Sequence, residues 1–422
     1  MISNYLPTDY QTFIATSRYA RWIEDKGRRE TWVETVQRYT DYLHSKGINL
    51  TGQDWDDIEG AILELEVMPS MRALMTAGVA ADRDNTCIYN CSYVAVDHPR
   101  AFDEAMFILL CGTGVGFSVE RQSISQLPEI PNTLGQSEDV IAVQDSKEGW
   151  AKALRKLISL LYTGDIPKWD LDKIRPAGSR LKTFGGRASG PEPLNDLFNF
   201  VVAKFKGAMG RKLNSIECHD IMCKIGEVVV VGGVRRSAMI SLSNLSDTRM
   251  AHAKSGSWWE NEKQRALANN SACYTEKPDS ETFLREWLAL VESKSGERGI
   301  FSRVAAEAHV AKNGRRETGY AWGTNPCSEI ILRSNQFCNL TEVVVRETDD
   351  LASLKRKVRL ATILGTAQAT FTHMPYLRPI WTKNTSEERL LGVSLTGIMD
   401  HPVLGKNVDS PKWLAEMKQV AI

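Results

Sequence analysis

Short apolar segments alternate with helical segments along this chain from about residue 85 onward. Residues 92–96 and 117–119 have the length and composition of strands, and residues 102–110 form a predicted helix between them. Residues 228–231 are β-branched and uncharged, as expected of a strand that is buried on both faces. Strands that alternate with helices in this way favour an α/β fold built on a parallel sheet.

The residues before this alternation have a different pattern. Trp32, Val36 and Leu43 recur at helical spacing, with charged residues between them. We therefore expect a mainly helical region over residues 1–84 and an α/β region over residues 85–422. Further helices are predicted at residues 149–162, 194–206, 218–227, 281–294 and 354–371.

Charge and composition narrow the possible roles of the protein. The chain has 422 residues and no net charge, because 52 Lys and Arg balance 52 Asp and Glu. This balance argues against binding to nucleic acid or to an anionic membrane through whole-chain electrostatics. The sequence has no apolar run of transmembrane length and does not begin like a signal peptide. We therefore expect a cytoplasmic protein of two or three domains whose eight cysteines are mostly buried thiols.

The segment Asn325-Pro-Cys-Ser-Glu329 brings three kinds of reactive group together. Pro326 disfavours helix at the residue before it, so the segment is predicted to be extended. Alternate residues of an extended chain share a face, which would place the amide of Asn325, the thiol of Cys327 and the carboxylate of Glu329 together. A carboxylate can act as a base and a thiol as the reactive atom. Taken alone, five residues leave an incidental loop cysteine as an open alternative.

Other cysteines are candidates for chemistry because of their neighbours. Cys338 lies shortly after the segment above, and Cys91 precedes a predicted strand. Cys87 is the alternative upstream candidate. None of these spacings is that of a zinc site. Cys218 and Cys223 fall within one predicted helix, where buried structural thiols are the simpler explanation.

Glycines between residues 112 and 116 are the first of two glycine-rich features. The pattern is Gly-x-Gly-x-Gly and precedes a strand rather than opening a helix, so it does not fit a dinucleotide-binding fingerprint. A tight turn with a close backbone approach is the remaining explanation.

Two basic, glycine-containing loops form the second feature, at residues 178–190 and 232–237. The second is predicted to follow the strand at residues 228–231, and α/β proteins bind ligands where parallel strands end. Arginines beside flexible glycines suit a phosphate or carboxylate, although a solvated basic turn is an equally simple explanation. Two such loops favour a polyanionic small ligand.

A collinear series of segments from about residue 19 to about residue 400 resembles ribonucleotide reductases, in particular the monomeric, adenosylcobalamin-dependent ribonucleoside-triphosphate reductases. The segments are Tyr19-Ala-Arg-Trp22, Glu34-Thr-Val36, Asn90-Cys91, Gly114-Val-Gly-Phe-Ser-Val119, Ile174-Arg-Pro-Ala-Gly178, Phe184-Gly-Gly186, Ala188-Ser-Gly-Pro191, Val234-Arg-Arg-Ser-Ala238, Asn269-Asn-Ser271, Thr324-Asn-Pro-Cys327 with Glu329, and Gly392-Val-Ser-Leu-Thr-Gly-Ile398.

The resemblance implies a role for each candidate residue. Cys327 would carry a thiyl radical that removes the 3′ hydrogen of the ribose, with adenosylcobalamin as the radical source. Glu329 would take the 3′-hydroxyl proton, and Asn325 would hydrogen-bond the ribonucleotide substrate. Cys91 and Cys338 would supply two electrons and end as a disulfide, to be reduced again by a thioredoxin-like protein. Cys91 is preferred over Cys87 because Asn90-Cys91 before an apolar strand is the family pattern.

The resemblance also implies a fold and a regulatory site. The family fold is a ten-stranded α/β barrel with the radical cysteine on a loop through its centre. We expect the first half of this barrel, plus the central loop, after an N-terminal helical region. Loops around residues 175–193 and 232–240 would sense a deoxynucleoside triphosphate effector. The candidate residues in these loops are Arg175, Lys182, Arg187, Gly233, Arg235, Arg236 and Ser237.

The sequence departs from the family in its later part. Family members carry a later Pro-Ser-Gly-Thr loop for substrate phosphates, and cobalamin-using relatives carry C-terminal cysteines that exchange with thioredoxin; neither is found here. The span between Pro128 and Ile174 is also shorter than in the monomeric relatives. We therefore expect the isolated chain to be inactive and to need either a complementing C-terminal polypeptide or the rest of a longer chain. Two alternatives stay open, a non-catalytic nucleotide-binding module and a reductase served by a separate radical-generating metalloprotein.

Overall fold

A computed structural model describes residues 5–179, 187–231, 239–405 and 408–422, apart from the side chain of residue 313. Within these ranges no helix is both long enough and apolar enough to cross a membrane. The helices are α1 Asp9–Ile14, α2 Trp32–Ser45, α3 Gly52–Leu63, α4 Met71–Thr76, α5 Val79–Arg83, α6 Arg100–Leu110, α7 Arg121–Ile124, α8 Lys147–Thr163, α9 Glu192–Gly207, α10 Ser215–Val231, α11 Thr248–Ala251, α12 Trp258–Asn261, α13 Ser280–Ser293, α14 Arg303–Asn313, α15 Leu351–Gln368, α16 Pro379–Glu388 and α17 Ser410–Ala421.

The strands within the described ranges assemble mainly into one sheet. They are β1 Trp22–Ile23, β2 Arg28–Arg29, β3 Val67–Met68, β4 Cys91–Ala95, β5 Gly114–Ser118, β6 Gly135–Ala142, β7 Asp165–Asp170, β8 Met239–Asn244, β9 Ala268–Tyr274, β10 Gly299–Ser302, β11 Gly323–Thr324, β12 Ile331–Leu332, β13 Gln336–Val344 and β14 Leu391–Thr396. The main sheet has the order β10-β9-β8-β5-β4-β13-β14, and β3 also pairs with β13. The α/β class predicted from the sequence is confirmed.

The main sheet changes direction once. The neighbours from β10 through β9, β8 and β5 to β4 are all parallel. β13 then runs antiparallel to β4, and β14 runs parallel to β13. Two parallel groups therefore meet at the β4–β13 pair. Residues of one group therefore lie directly opposite residues of the other group along the β4–β13 pair.

The N-terminal region is helical for reasons that are visible in its sequence. Thr31 caps α2 in a capping box with Glu34, and the apolar positions Trp32, Val36 and Leu43 turn into the core. Thr51 and Asp54 form a second capping box at α3. The region is joined to the main sheet through β3, which pairs with β13.

The prediction of a strand at residues 228–231 is wrong, because these residues are the last turn of α10. Buried residues Cys218, Ile221, Ile225 and Val229 recur along α10 at helical spacing, and this longer period overrides the local β-branched composition. The described residue before the basic segment 232–237 therefore belongs to a helix and not to a strand, and the segment itself lies outside the described residues.

Candidate active site

A short hairpin lies against the sheet next to the reversal of direction. β11 and β12 pair antiparallel, and we call residues 323–332 the site hairpin. A Cβ built on Gly116 of β5 would lie 1.8 Å from the backbone oxygen of Thr324. A Cβ on Gly323 would lie 2.0 Å from the ring of Tyr93 on β4. Both glycines are therefore required for the hairpin to approach the sheet this closely, as predicted for the glycine motif at 112–116.

The tip of the site hairpin is a turn and not the extended segment predicted from Pro326. The backbone N–H of Ser328 donates to the oxygen of Asn325 at 3.0 Å, and Ser328 has a φ of 66°. Pro326 occupies the second position of this turn, where its fixed φ is favourable. The three candidate side chains therefore do not share one face: Asn325 is buried, whereas Cys327 and Glu329 are exposed.

Asn325 connects the turn to the sheet. Its Nδ2 donates to the Sγ of Cys91 at 3.3 Å, and its Oδ1 accepts from the backbone N–H of Ile330 at 2.9 Å. One fully buried amide thus fixes both ends of the turn and touches one of the candidate redox cysteines. The exposed Cys327 and Glu329 follow directly from it, so their positions depend on this contact.

Cys91 and Cys338 lie directly opposite each other on β4 and β13. Opposite residues of an antiparallel pair have Cα atoms about 4.5–5.5 Å apart, which is within the range for a disulfide. Both residues are buried thiols. The alternative Cys87 lies in a turn before β4, where its Sγ donates to the backbone oxygen of Asp84 at 3.3 Å. The sheet register therefore places Cys91, and not Cys87, against Cys338.

A cavity of about 650 Å³ opens beside this cysteine pair. Cys338 and Glu329 are among its lining residues, together with Arg316 and Glu388. Part of the remaining wall is apolar, from β14 and α17. A mixed wall of this kind, with few convergent polar groups, is typical of a site for a small molecule.

The surroundings of Cys338 raise its pKa well above the ordinary value. The hydrogen bond with Cys91 has the largest effect, and burial and the nearby Glu329 carboxylate act in the same direction, whereas Arg316 lowers the pKa. Since the thiolate is the species that attacks in disulfide chemistry, we expect oxidation of this pair by a chemical oxidant to be slow near neutral pH. Its rate should still increase well above pH 8.5, about where an unperturbed cysteine titrates. Disulfide formation followed by mass spectrometry across pH measures this, and a rate that levels off below about pH 8 would contradict it.

The candidate effector residues are only partly described. Arg175 forms an ion pair with Asp145 through Nε at 2.7 Å, and Nη1 of Arg187 donates to the oxygen of Gly178 at 3.0 Å. Both side chains thus have contacts within the protein. The other candidates lie outside the described residues: Lys182, Gly233, Arg235, Arg236 and Ser237.

Two buried ion pairs around the site hairpin were not predicted from the sequence. Arg303 contacts both oxygens of Glu120 at 3.0 and 2.7 Å and donates to the oxygen of Trp322 at 2.9 Å. Arg316 contacts both oxygens of Glu388 at 3.0 and 2.8 Å. The partners are far apart in sequence, so no local motif marks them.

Comparison with known proteins agrees with the resemblance of the sequence. Residues 129–203 match a family model described as the insertion domain of B12-dependent ribonucleotide reductase. The chain is 28% identical, over 95% of its length, to the adenosylcobalamin-dependent ribonucleoside-triphosphate reductase of Lacticaseibacillus paracasei. It is 29% identical, over 90% of its length, to the enzyme of that name from Lactobacillus leichmannii. The chain is similar to adenosylcobalamin-dependent ribonucleoside-triphosphate reductases over most of its length. It spans 65% and 60% of the length of these two relatives.

Solved ribonucleotide reductases share the fold. The crystal structure of a B12-dependent, class II ribonucleotide reductase superposes with a TM-score of 0.72 at 24% identity, over 92% of this chain and 62% of that one. The α subunit of the class Id enzyme from Actinobacillus ureae gives a TM-score of 0.55 at 12% identity, over 99% of this chain and 66% of that one. At these identities the likeness concerns the fold.

The position of Cys327 is compatible with the cofactor named for the reductase relatives. Adenosylcobalamin would supply radical chemistry here, and the thiol that receives the radical would have to be accessible to it. The exposed Cys327 thiol at the tip of a buried hairpin meets this requirement. Within the described residues no group of three or more His, Cys, Asp or Glu could hold a metal ion.

Proposed function

We propose that this chain is the larger part of a ribonucleotide reductase that converts ribonucleoside triphosphates into 2′-deoxyribonucleotides for DNA synthesis. The observation that carries the proposal is the grouping of three thiols. Cys91 and Cys338 lie opposite each other in the sheet, and Asn325 links this pair to the turn that carries Cys327. The proposed chemistry needs a reactive thiol near a dithiol, and the link from the cysteine pair through Asn325 to the turn supports these roles.

The proposed reaction assigns each group a step. When bound, adenosylcobalamin supplies the radical chemistry. As a thiyl radical, Cys327 removes the 3′ hydrogen atom of the ribose, and Glu329 takes the 3′-hydroxyl proton while Asn325 holds the substrate. The C2′–O bond then breaks, and the 2′ hydroxyl takes a proton from the Cys91–Cys338 dithiol and leaves as water. The second thiol proton and the two electrons of the dithiol form the new C2′–H bond, and the two cysteines become a disulfide. Glu329 gives the proton back to the 3′ oxygen, and Cys327 returns the hydrogen atom to the 3′ carbon.

Partners follow from this chemistry. The Cys91–Cys338 disulfide must be reduced after each turnover, which a thioredoxin-like dithiol protein can do by thiol–disulfide exchange. A deoxynucleoside triphosphate effector is proposed for the loops around residues 175–193 and 232–240. Arg175 and Arg187 are its described candidates, and each would have to exchange a contact within the protein for a phosphate.

A complementing polypeptide is proposed to complete the barrel, supported by an unusual helix. The side of α13 that packs on the protein carries Glu286, which pairs with buried Arg298. The opposite side is apolar and faces solvent, although such residues normally face the core. Its exposed residues are Phe283, Leu284, Trp287, Leu288 and Val291. The neighbouring β10 is the last strand of the main sheet and exposes Ile300.

This surface, α13 with the edge of β10, is proposed to bind a polypeptide equivalent to the part of the relatives that the chain does not match. An unpaired strand edge beside an apolar helix face suits the addition of a strand and a helix. The reductase relatives are long enough to include such a segment, because this chain covers only 65% and 60% of their length.

Replacing Trp287 and Leu288 together by serine should separate binding from stability. The two side chains are 54% and 56% exposed, so the free energy of unfolding of the isolated chain should change by less than about 1 kcal/mol. Binding to the complementing polypeptide should weaken at least about tenfold, as for apolar anchors of an interface. Arg285→Ser, on the polar side of the same helix, is the matched control. Isothermal titration calorimetry measures the affinity, and unchanged binding by the double variant would contradict the assignment.

Reconstitution tests the function as a whole. The chain should be combined with a complementing C-terminal polypeptide, a ribonucleoside triphosphate, adenosylcobalamin and a dithiol reductant, and deoxyribonucleotide should be measured by chromatography. We expect product only when the corrinoid is present. Product formation without a corrinoid would favour a separate radical-generating metalloprotein. Nucleotide binding without product would favour the non-catalytic module.

A further inference from the structure

A guanidinium binds the backbone of the outgoing arm of the site hairpin. Nη1 of Arg316 donates to the backbone oxygen of Ile331 in β12 at 2.7 Å. The incoming arm, β11, is held by its close packing on Gly116 and Tyr93. Arg316 therefore gives the outgoing arm an anchor of its own, which can be changed without altering the glycine packing of the incoming arm.

Arg316 is itself fixed by the end of α16 and the start of β13. Its Nε and Nη2 contact the two carboxylate oxygens of Glu388 at 3.0 and 2.8 Å. Gln336 donates from Nε2 to the same carboxylate and lies two residues before Cys338. A bidentate arginine–carboxylate pair is geometrically specific, so the guanidinium has little freedom to move. The contacts connect β12 to the strand that carries Cys338.

Burial strengthens this connection. The side chains of Arg316 and Glu388 are 17% and 11% exposed, and the guanidinium stacks 4.7 Å above the ring of Trp322. Burial raises the pKa of Glu388, but hydrogen bonds from Arg316 and Gln336 outweigh this and lower it, so the carboxylate stays charged. Arg316 also lines the cavity beside Cys338 and Glu329.

We propose that Arg316 is a positioning residue that holds the turn carrying Cys327 and Glu329 over the Cys91–Cys338 pair. It does so by linking β12 to α16 and β13. The meaning of this role for catalysis rests on the proposed reductase function. The positional role can be tested in the chain alone, so the two can fail separately.

Arg316→Lys tests the position with the charge retained. A lysine cannot contact both oxygens of Glu388 and the oxygen of Ile331 together. We expect the turn to open more often, which exposes Cys91 and Cys338 to alkylation at least about ten times faster than in the wild type. Iodoacetamide labelling followed by peptide mass spectrometry gives a rate for each cysteine. Cys327 should react readily in every variant.

Two further variants distinguish this role from general destabilisation. Glu388→Gln weakens the same contact from the other side and should also expose Cys91 and Cys338. Arg265→Lys is the matched control, because Arg265 forms a bidentate pair with Asp220, is 14% exposed and lies on a different part of the fold. It should leave both cysteines protected.

A pH readout separates the charge of Arg316 from its position. The charged or titratable groups that act on Cys338 are Cys91 and Glu329, which raise its pKa, and Arg316, which lowers it. Both Arg316→Met and Arg316→Lys lose the contacts that hold the turn, so the two variants are compared with each other. Oxidation of the pair should require a higher pH in Arg316→Met than in Arg316→Lys, because only the lysine keeps the positive charge that lowers the pKa of Cys338. Protected cysteines in both Arg316→Lys and Glu388→Gln, or equal exposure in Arg265→Lys, would overturn the proposal. Labelling as expected in a chain that never yields an active reductase would leave the positional role intact and refute the function.

Discussion

Cys327→Ser should abolish ribonucleotide reduction in the reconstituted enzyme while the chain stays folded. A hydroxyl does not give up its hydrogen atom as a thiol does, so the variant cannot form the radical that starts the reaction. We expect a loss of at least about 10³-fold in turnover, the scale on which removal of a group that acts covalently is felt. Cys327 is exposed, so the free energy of unfolding should change by less than about 0.5 kcal/mol.

The matched control for this experiment is Ser328→Gly in the same turn. Ser328 has a φ of 66°, which glycine adopts without strain, and the change leaves every thiol in place. Deoxyribonucleotide formation should persist in the control. The urea concentration at the midpoint of unfolding should be close to that of the wild type for both Cys327→Ser and Ser328→Gly. Substantial turnover by Cys327→Ser would contradict the assignment of Cys327 as the residue that carries the thiyl radical.

The sequence predicted which cysteines are candidates for chemistry better than it predicted how they are arranged in space. The resemblance named Cys91, Cys327 and Cys338, and the register of β4 against β13 gives the first and last of these a physical relation. The local prediction for the turn was wrong, since it treated Pro326 only as a restriction on the residue before it. Pro326 also favours the second position of a turn, and a buried amide at Asn325 stabilises that turn from the sheet side.

Long-range contacts account for what the sequence did not reveal. A β-branched run is ambiguous over four residues, and residues 228–231 became helical because the buried apolar positions Cys218, Ile221 and Ile225 precede them at helical spacing. The Arg316–Glu388 pair joins residues that are 72 positions apart, and each is an ordinary charged residue in its own segment. The α/β class depended on the alternation of many segments and was therefore predicted correctly.

The close approach of the site hairpin to the sheet makes Gly116 the most sensitive position in the described structure around it. A Cβ at this residue would lie 1.8 Å from the oxygen of Thr324 and 3.2 Å from Cγ2 of Ile240. The first of these is a backbone atom, so no side-chain rotation can relieve the clash. Gly116→Ala should therefore displace β11 and cost about 1–3 kcal/mol of stability.

Displacement of β11 should have its largest effect on the reaction. Asn325 follows Thr324 directly and contacts Cys91, so a shift of about 1 Å would separate the turn from the cysteine pair. Misplacement on this scale can cost on the order of 10²-fold in rate. Gly135→Ala is the matched control, because it also lies in a strand and a Cβ there would meet nothing within 4 Å. In Gly116→Ala, turnover of the reconstituted enzyme should fall and alkylation of Cys91 should become faster, because both depend on the position of the site hairpin on the sheet. Both should stay unchanged in the control. A Gly116→Ala enzyme with wild-type turnover would show that the reaction does not need this hairpin where the structure places it.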